Sequence, residues 1–166
     1  MAIITWENGS VPEGMEIKQV YGLIFTEDGR IMLRTEQKID SVKFSLAGGH
    51  PEPFDDGIEG TCRWELIEEI NTTIHQPIYV GYQLIDEEDG TPFYAQVRMA
   101  AVIDSIGTMK PDPDNGKIYG RFLTSPDRAS ELLNWGDVGY AQIHRAVEII
   151  EREYGIKLKN RVEEYV

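Results

Sequence analysis

The chain of 166 residues has a single cysteine, Cys62, so it can form neither an internal disulfide nor a cysteine-built zinc site. No apolar run approaches the ~20 residues that a membrane-spanning helix needs. Basic residues are scarce: 16 Lys and Arg stand against 29 Asp and Glu, a formal net charge of −13. Binding a nucleic-acid backbone takes many Lys and Arg contacts, so neither duplex nucleic acid nor an anionic membrane is an expected partner. Residues Met1 to Glu7 lack the basic flank and long apolar stretch of a secretory signal, and a cytoplasmic location is expected. Repeats, low-complexity tracts and linker-like stretches are also missing, so residues 1–166 read as one domain.

What is present is a globular composition, 41% hydrophobic and 27% charged, which suffices for a packed core. Val20 to Phe25 reads as a strand, Glu27-Asp28-Gly29-Arg30 as a turn and Ile31 to Arg34 as its hairpin partner. Thr35 to Lys43 reads as a loop, and Phe44 to Ala47 as a short strand running into Gly48-Gly49. A helix is expected over Ile58 to Asn71, with Cys62, Leu66 and Ile70 forming an apolar stripe at steps of four. Ile78 to Ile85, Phe93 to Ile103 and Lys117 to Leu123 read as further strands. Ser125-Pro126 is a helix start, a last helix spans Val138 to Tyr154, and Gly155 marks its stop. Strands in hairpins with one central and two late helices point to an α+β fold or a three-layer sandwich of sheet and helices. Residues 1–18 could add a strand or an intersubunit arm.

The chemistry concentrates between Gly48 and Thr73. Glu65, Glu68 and Glu69 stand at i, i+3 and i+4, which puts all three carboxylates on one face of one helix. Like charges so placed repel by a few tenths of a kcal/mol, and a divalent cation among them turns that repulsion into attraction. Oxygen ligands of this kind suit Mg²⁺ or Mn²⁺. The glycine pair lets the backbone approach a ligand with no Cβ in the way. Glu-x-x-Glu-Glu on a helix is more often a solvated face, and a diglycine more often a tight turn. Their order and spacing together are what point to metal beside a diphosphate.

That combination resembles the signature of the Nudix hydrolase family: Gly, five residues, Glu, seven residues, then Arg-Glu-hydrophobe-any-Glu-Glu-any-Gly-hydrophobe. Gly49 matches the first glycine, Glu65-Leu66 the Glu-hydrophobe pair and Glu68-Glu69 the acidic pair. Trp64 stands where the family has Arg, Asn71 where it has Gly, Thr72 where it has the closing hydrophobe, and Asp55 or Asp56 where it has the upstream Glu. In the family that arginine orients the carboxylates; Arg63 is adjacent here but rotated by about 100°. The resemblance implies a Nudix-type three-layer α/β/α sandwich with a mixed sheet. It implies that Glu65, Glu68 and Glu69 are catalytic and hold Mg²⁺ or Mn²⁺, with the Gly48 carbonyl as a further ligand.

A later-loop carboxylate can also activate water in such folds, and Asp112 and Asp114 are the candidates, though either is equally a turn residue. Arg34, Lys43, Gly49 and Arg98 are candidate substrate contacts; Lys38 and His50 are weaker ones. Cys62 and Trp64 are expected to be packing residues, and a cysteine-dependent prenyl diphosphate isomerisation fits poorly. The expected activity is hydrolysis of a phosphoanhydride in a nucleoside diphosphate linked to another moiety. The alternative is a catalytically weak nucleotide-binding or sensor protein on the same fold, motivated by Trp64 and Asn71. The expected partner is a small phosphate-containing molecule.

Overall fold

Alternating apolar side chains along two long strands build the centre of the molecule, a computed structural model describing residues 1–166. These strands are β2 (Glu16–Phe25) and β8 (Tyr94–Ile106), which pair in parallel from Glu16 opposite Tyr94 to Phe25 opposite Val102. The other strands are β1 (Ile3–Glu7), β3 (Ile31–Gln37), β4 (Val42–Ser45), β5 (Gly48–Gly49), β6 (Thr72–Ile74), β7 (Ile78–Asp86), β9 (Gly120–Thr124) and β10 (Glu164–Tyr165). Three helices complete the order: α1 (Gly57–Ile70), α2 (Pro126–Leu133) and α3 (Gly136–Tyr154). The sheet path runs β1-β7-β8-β2-β3-β9-β10, with β4 on β3, β5 on β2 and β6 on β8. One parallel pair among antiparallel ones makes the sheet mixed.

Both faces of the sheet are buried, giving the α/β/α layering. Val20, Ile24, Met32, Val97 and Met99 pack against the Cys62, Leu66 and Ile70 stripe of α1. Leu23, Phe25, Leu33, Ala100 and Val102 pack against Ile143, Ala146, Ile149 and Ile150 of α3. Cys62 is 1% exposed and its thiol is pushed up to about 12 by burial, so it packs and offers no nucleophile. No helix is long and apolar enough to cross a membrane.

Several expectations are corrected. Thr35 to Gln37 continue β3, and Val42-Lys43 belong to β4, because β3 and β4 form a hairpin from Arg34 opposite Ser45 to Gln37 opposite Val42. Of the two readings of residues 1–18 the added strand is the one found, with β1 antiparallel to β7. Trp64 is 49% exposed and lies outside the core.

The boundaries of α1 have clear causes. The Asp55 carboxylate accepts from the Glu52 N–H (2.9 Å) and the Thr61 hydroxyl (2.7 Å), tying the preceding loop to the second helical turn. At the other end Asn71 adopts a left-handed conformation, φ 41° and ψ 51°, that ends the helix. Asparagine tolerates this region where other non-glycine residues are strained, which accounts for its place at the glycine position of the motif. Its side-chain amide also donates to the Thr108 carbonyl (2.7 Å), and its own carbonyl accepts from the Gly107 N–H (2.9 Å). Asn71→Ala should therefore destabilise the fold by about 2 kcal/mol, through backbone strain plus one lost hydrogen bond. Asn71→Gly should lose less, and denaturant titration of both variants separates strain from tether.

Candidate active site

The site forms where the sheet parts. β2 pairs with β3 only at Ile24 opposite Met32 and Phe25 opposite Ile31. Upstream, Val20 and Tyr21 pair instead with Gly49 and Gly48. The glycine pair thus lies between β2 and α1, and a Cβ at either position would meet a close neighbour. A Cβ on Gly48 would overlap the Val20 carbonyl oxygen and stand 2.7 Å from the Tyr21 Cα. A Cβ on Gly49 would stand 2.5 to 2.6 Å from the Glu65 carboxyl atoms. Gly49 is therefore the floor on which the Glu65 carboxyl rests.

Glu69 is 7% exposed and held at both oxygens. The Gly48 N–H donates to Oε1 (2.8 Å), and Arg34 Nη1 donates to Oε2 (2.6 Å). Arg34 is itself fixed by a bond from its Nε to the Ser45 hydroxyl (3.0 Å) and by the Tyr119 ring, 4.3 Å from its guanidinium carbon. A guanidinium on β3 thus orients the last glutamate of the motif, although Trp64 occupies the motif's arginine position. Arg63 points elsewhere, to the Ile74 carbonyl (2.8 Å). The candidate phosphate contact Arg34 accordingly has a different primary partner, a carboxylate on the protein itself.

Glu65 accepts no hydrogen bond from the protein, leaving its lone pairs free for an ion or water. Burial first, then the charges of Glu69, Glu68, Asp114 and Asp112, push its carboxyl up to about 7. Glu68 is also raised, by burial and then by Asp114 and Asp112, while the Trp64 indole partly offsets the shift. Glu69 is raised because burial outweighs the opposing effects of Arg34 and the Gly48 N–H. The loop carboxylates therefore face the motif helix within electrostatic range. Asp112, 4% exposed, also shapes its own loop by accepting from the Asp114 N–H (2.8 Å), while its backbone carbonyl accepts from the Gly116 N–H (2.7 Å).

Whether these residues suit a divalent cation is decided by their chemistry and their present placement. Five hard carboxylates, mutually repelling and close to a backbone left bare by two glycines, form a donor set of the right type. As the side chains stand, no three of them share one ion-sized centre. Glu69 is turned to Arg34 and Gly48, although each of its oxygens keeps a second lone pair. The donors fit in kind, although their present orientation does not converge on one centre.

The remaining candidates divide. Arg98 and Lys43, with Arg34, line a pocket of about 540 Å³ beside the parted strands. Lys38 and Lys117 both bind Glu36 (2.8 Å each), and His50 Nδ1 contacts the Lys18 carbonyl (2.9 Å). Tyr21, Gln142 and Trp135, which surround Arg98, carried no local motif. The available signal was the charge of Arg98 itself within the apolar run Val97 to Val102.

Solved structures share this arrangement of elements. The Bacillus subtilis pyrophosphohydrolase BsRppH is 15% identical over 91% of this chain and 92% of its own, with a TM-score of 0.66. A Nudix hydrolase from Nitrosomonas europaea is 18% identical over 78% of this chain and 87% of its own, with a TM-score of 0.58. The chain has the Nudix hydrolase fold. MutT from Aliivibrio salmonicida and Vibrio cholerae shares this Nudix fold at 17% identity, covering 77% and 96% of the two chains, with a TM-score of 0.56. No family model matches the sequence, and no curated protein matches it. The Nudix fold is thus carried here by a divergent sequence, in which Arg34 takes up the carboxylate that Trp64 cannot.

The raised carboxyls have a consequence for stability. Glu65 keeps its proton to about pH 7 when folded and releases it near pH 4.5 when unfolded. Its contribution is therefore present below pH 4.5 and lost as pH rises through 7. With Glu65 only half buried, solvent screening limits the change to about 1–2 kcal/mol. In EDTA, the unfolding free energy of Glu65→Gln should show a shallower fall between pH 5 and 8 than that of the parent protein.

Proposed function

We propose that the protein is a divalent-metal-dependent diphosphatase that hydrolyses a phosphoanhydride in a nucleoside diphosphate linked to another moiety. The observation that carries this reading is the Glu65 carboxyl, resting unpaired on Gly49 and raised by burial and then by four neighbouring carboxylates. Glu65, Glu68 and Glu69, with the Gly48 carbonyl, would hold Mg²⁺ or Mn²⁺. The ion would neutralise the charge that develops on the phosphate oxygens and draw the anionic substrate into an acidic site.

The chain's own residues would do the rest. Glu69, fixed by Arg34 and Gly48, keeps its orientation. Glu65 accepts the proton of the attacking water, since it alone of this buried pair has no donor holding its oxygens. The bare backbone at Gly48-Gly49 lets the diphosphate approach α1 closely. Arg34 acts on substrate through Glu69, and Lys43 and Arg98 contact the group beyond the diphosphate. A cytoplasmic setting agrees with one buried, unpaired thiol.

The test is release of phosphate or pyrophosphate from nucleotide, nucleotide-sugar and dinucleoside polyphosphate panels with Mg²⁺ or Mn²⁺. Activity that vanishes in EDTA and falls about 10²- to 10⁴-fold in Glu65→Gln is the expected result. A second reading, a weakly catalytic nucleotide-binding or sensor protein, is favoured by one observation: Glu69 is already paired with Arg34. Ligand-dependent thermal stabilisation without product release would select it.

A further inference from the structure

Arg98 is 2% exposed, yet no carboxylate pairs with it. Its Nε donates to Gln142 Oε1 (2.6 Å), and Nη1 has only a long bond to the Gln96 carbonyl (3.4 Å). Gln142 donates to Gln83 (2.8 Å) and Gln83 to Gln96 (3.1 Å), so neutral amides alone orient the guanidinium. The Tyr21 and Trp135 rings lie 4.6 and 5.6 Å from its carbon. Burial lowers its pKa to about 10, which still leaves the group charged at neutral pH. A buried charge without a counter-ion is costly and is retained where something else supplies the anion.

The space that Arg98 borders is suited to supply one. The pocket of about 540 Å³ also meets Arg34 and Lys43, and no Asp or Glu lines it. In a chain of net charge −13, a pocket lined by Arg98, Lys43 and the Glu69-paired Arg34, with no carboxylate of its own, runs against the general surface. Its volume lies in the range of small-molecule sites, larger than one phosphate and sufficient for an anion with an organic body. Arg34 joins the pocket to Glu69, so the two regions are neighbours.

We propose that this pocket is a second anion subsite, in which the free face of the Arg98 guanidinium receives a phosphate or carboxylate at the end of the ligand remote from the scissile phosphoanhydride. The ligand class is therefore a molecule with two separated anionic groups. Its being a substrate rests on the hydrolase reading; its binding does not.

The test is calorimetric titration in metal-free buffer without added chelator, with adenosine monophosphate, ribose 5-phosphate, citrate, inorganic phosphate and adenosine, none of which carries a phosphoanhydride. Binding of the anionic organic compounds but not of adenosine, weakened at least tenfold by Arg98→Met, is expected. The apo melting temperature of Arg98→Met should not fall below that of the parent, because an uncompensated buried charge has been removed. Should that variant fail to fold, Lys43→Ala, at the pocket rim, should weaken the same ligands several-fold. Phosphate bound as well as the organic anions would assign the site to the anion alone; citrate bound without the phosphates would assign it to carboxylates. Binding unchanged in both variants, or no binding by any anion, overturns the proposal. Absence of turnover on the nucleotide panels, with Arg98-dependent binding intact, would remove the hydrolase reading and leave the subsite standing.

Discussion

Arg34→Met should destabilise the protein by about 3 kcal/mol near neutral pH and remove most of its turnover. Glu69 has a side chain 9% exposed and one cation within reach, the Arg34 guanidinium at 2.6 Å. Removing one partner of a buried pair leaves the other charge uncompensated, which is far more damaging than never having had the pair. Arg34 is itself 18% exposed, which places the loss toward the lower end of what such pairs show. The sign with pH is definite. Without Arg34 the Glu69 carboxyl is raised further, so the penalty shrinks as pH falls. Denaturant titrations at pH 5 and pH 8 should differ more for Arg34→Met than for the parent. Glu69→Gln carries its own cost of about 1–3 kcal/mol, because a glutamine has one acceptor oxygen for the two donors Arg34 and Gly48. In the double variant the charge penalty is absent, so the two losses should not add.

Gly49→Ala should reduce turnover about 100-fold at nearly unchanged stability. The new methyl group would meet the Glu65 carboxyl, the far end of a side chain that can swing aside. The displaced carboxyl would then be out of place for both ion and water, where an error of about 1 Å is enough for such a loss. Gly48→Ala should behave in the opposite sense. Its methyl group would meet the Val20 carbonyl and the Tyr21 backbone, which cannot move without breaking the β2–β5 pairing. Loss of thermal stability should therefore dominate that variant. Steady-state kinetics and melting temperatures on the pair separate a site-shaping glycine from a fold-shaping one.

The pairing of β2 with β8 shows where sequence reading ends. Each strand announces itself by its apolar run, but their parallel register joins residues nearly eighty positions apart, and no local pattern encodes it. The same limit applies to Arg34. Its contact with Glu69 spans 35 residues and arises only because β3 and α1 are brought to the same side of the parted sheet. The motif itself was readable because a helix converts spacing into a face: Glu65, Glu68 and Glu69 are local to one another. So was the stop at Gly155, where backbone conformation depends on one residue type; Asn71, read as the last helical residue, is instead the left-handed cap. Trp64 misled as a packing residue because its large apolar ring suggests burial, whereas its helical position faces outward beside Glu68. Arg98 was legible as a charge in an apolar strand, but its glutamine collar comes from three separate stretches of chain.

Product release from a diphosphate-linked nucleoside panel, assayed with added Mn²⁺ and again in EDTA for the parent and Glu65→Gln, addresses the central claim most directly. Turnover present only with the ion, and lost by two or more orders of magnitude in the variant, is the predicted result. Turnover indifferent to EDTA, or equal in the two proteins, would contradict it.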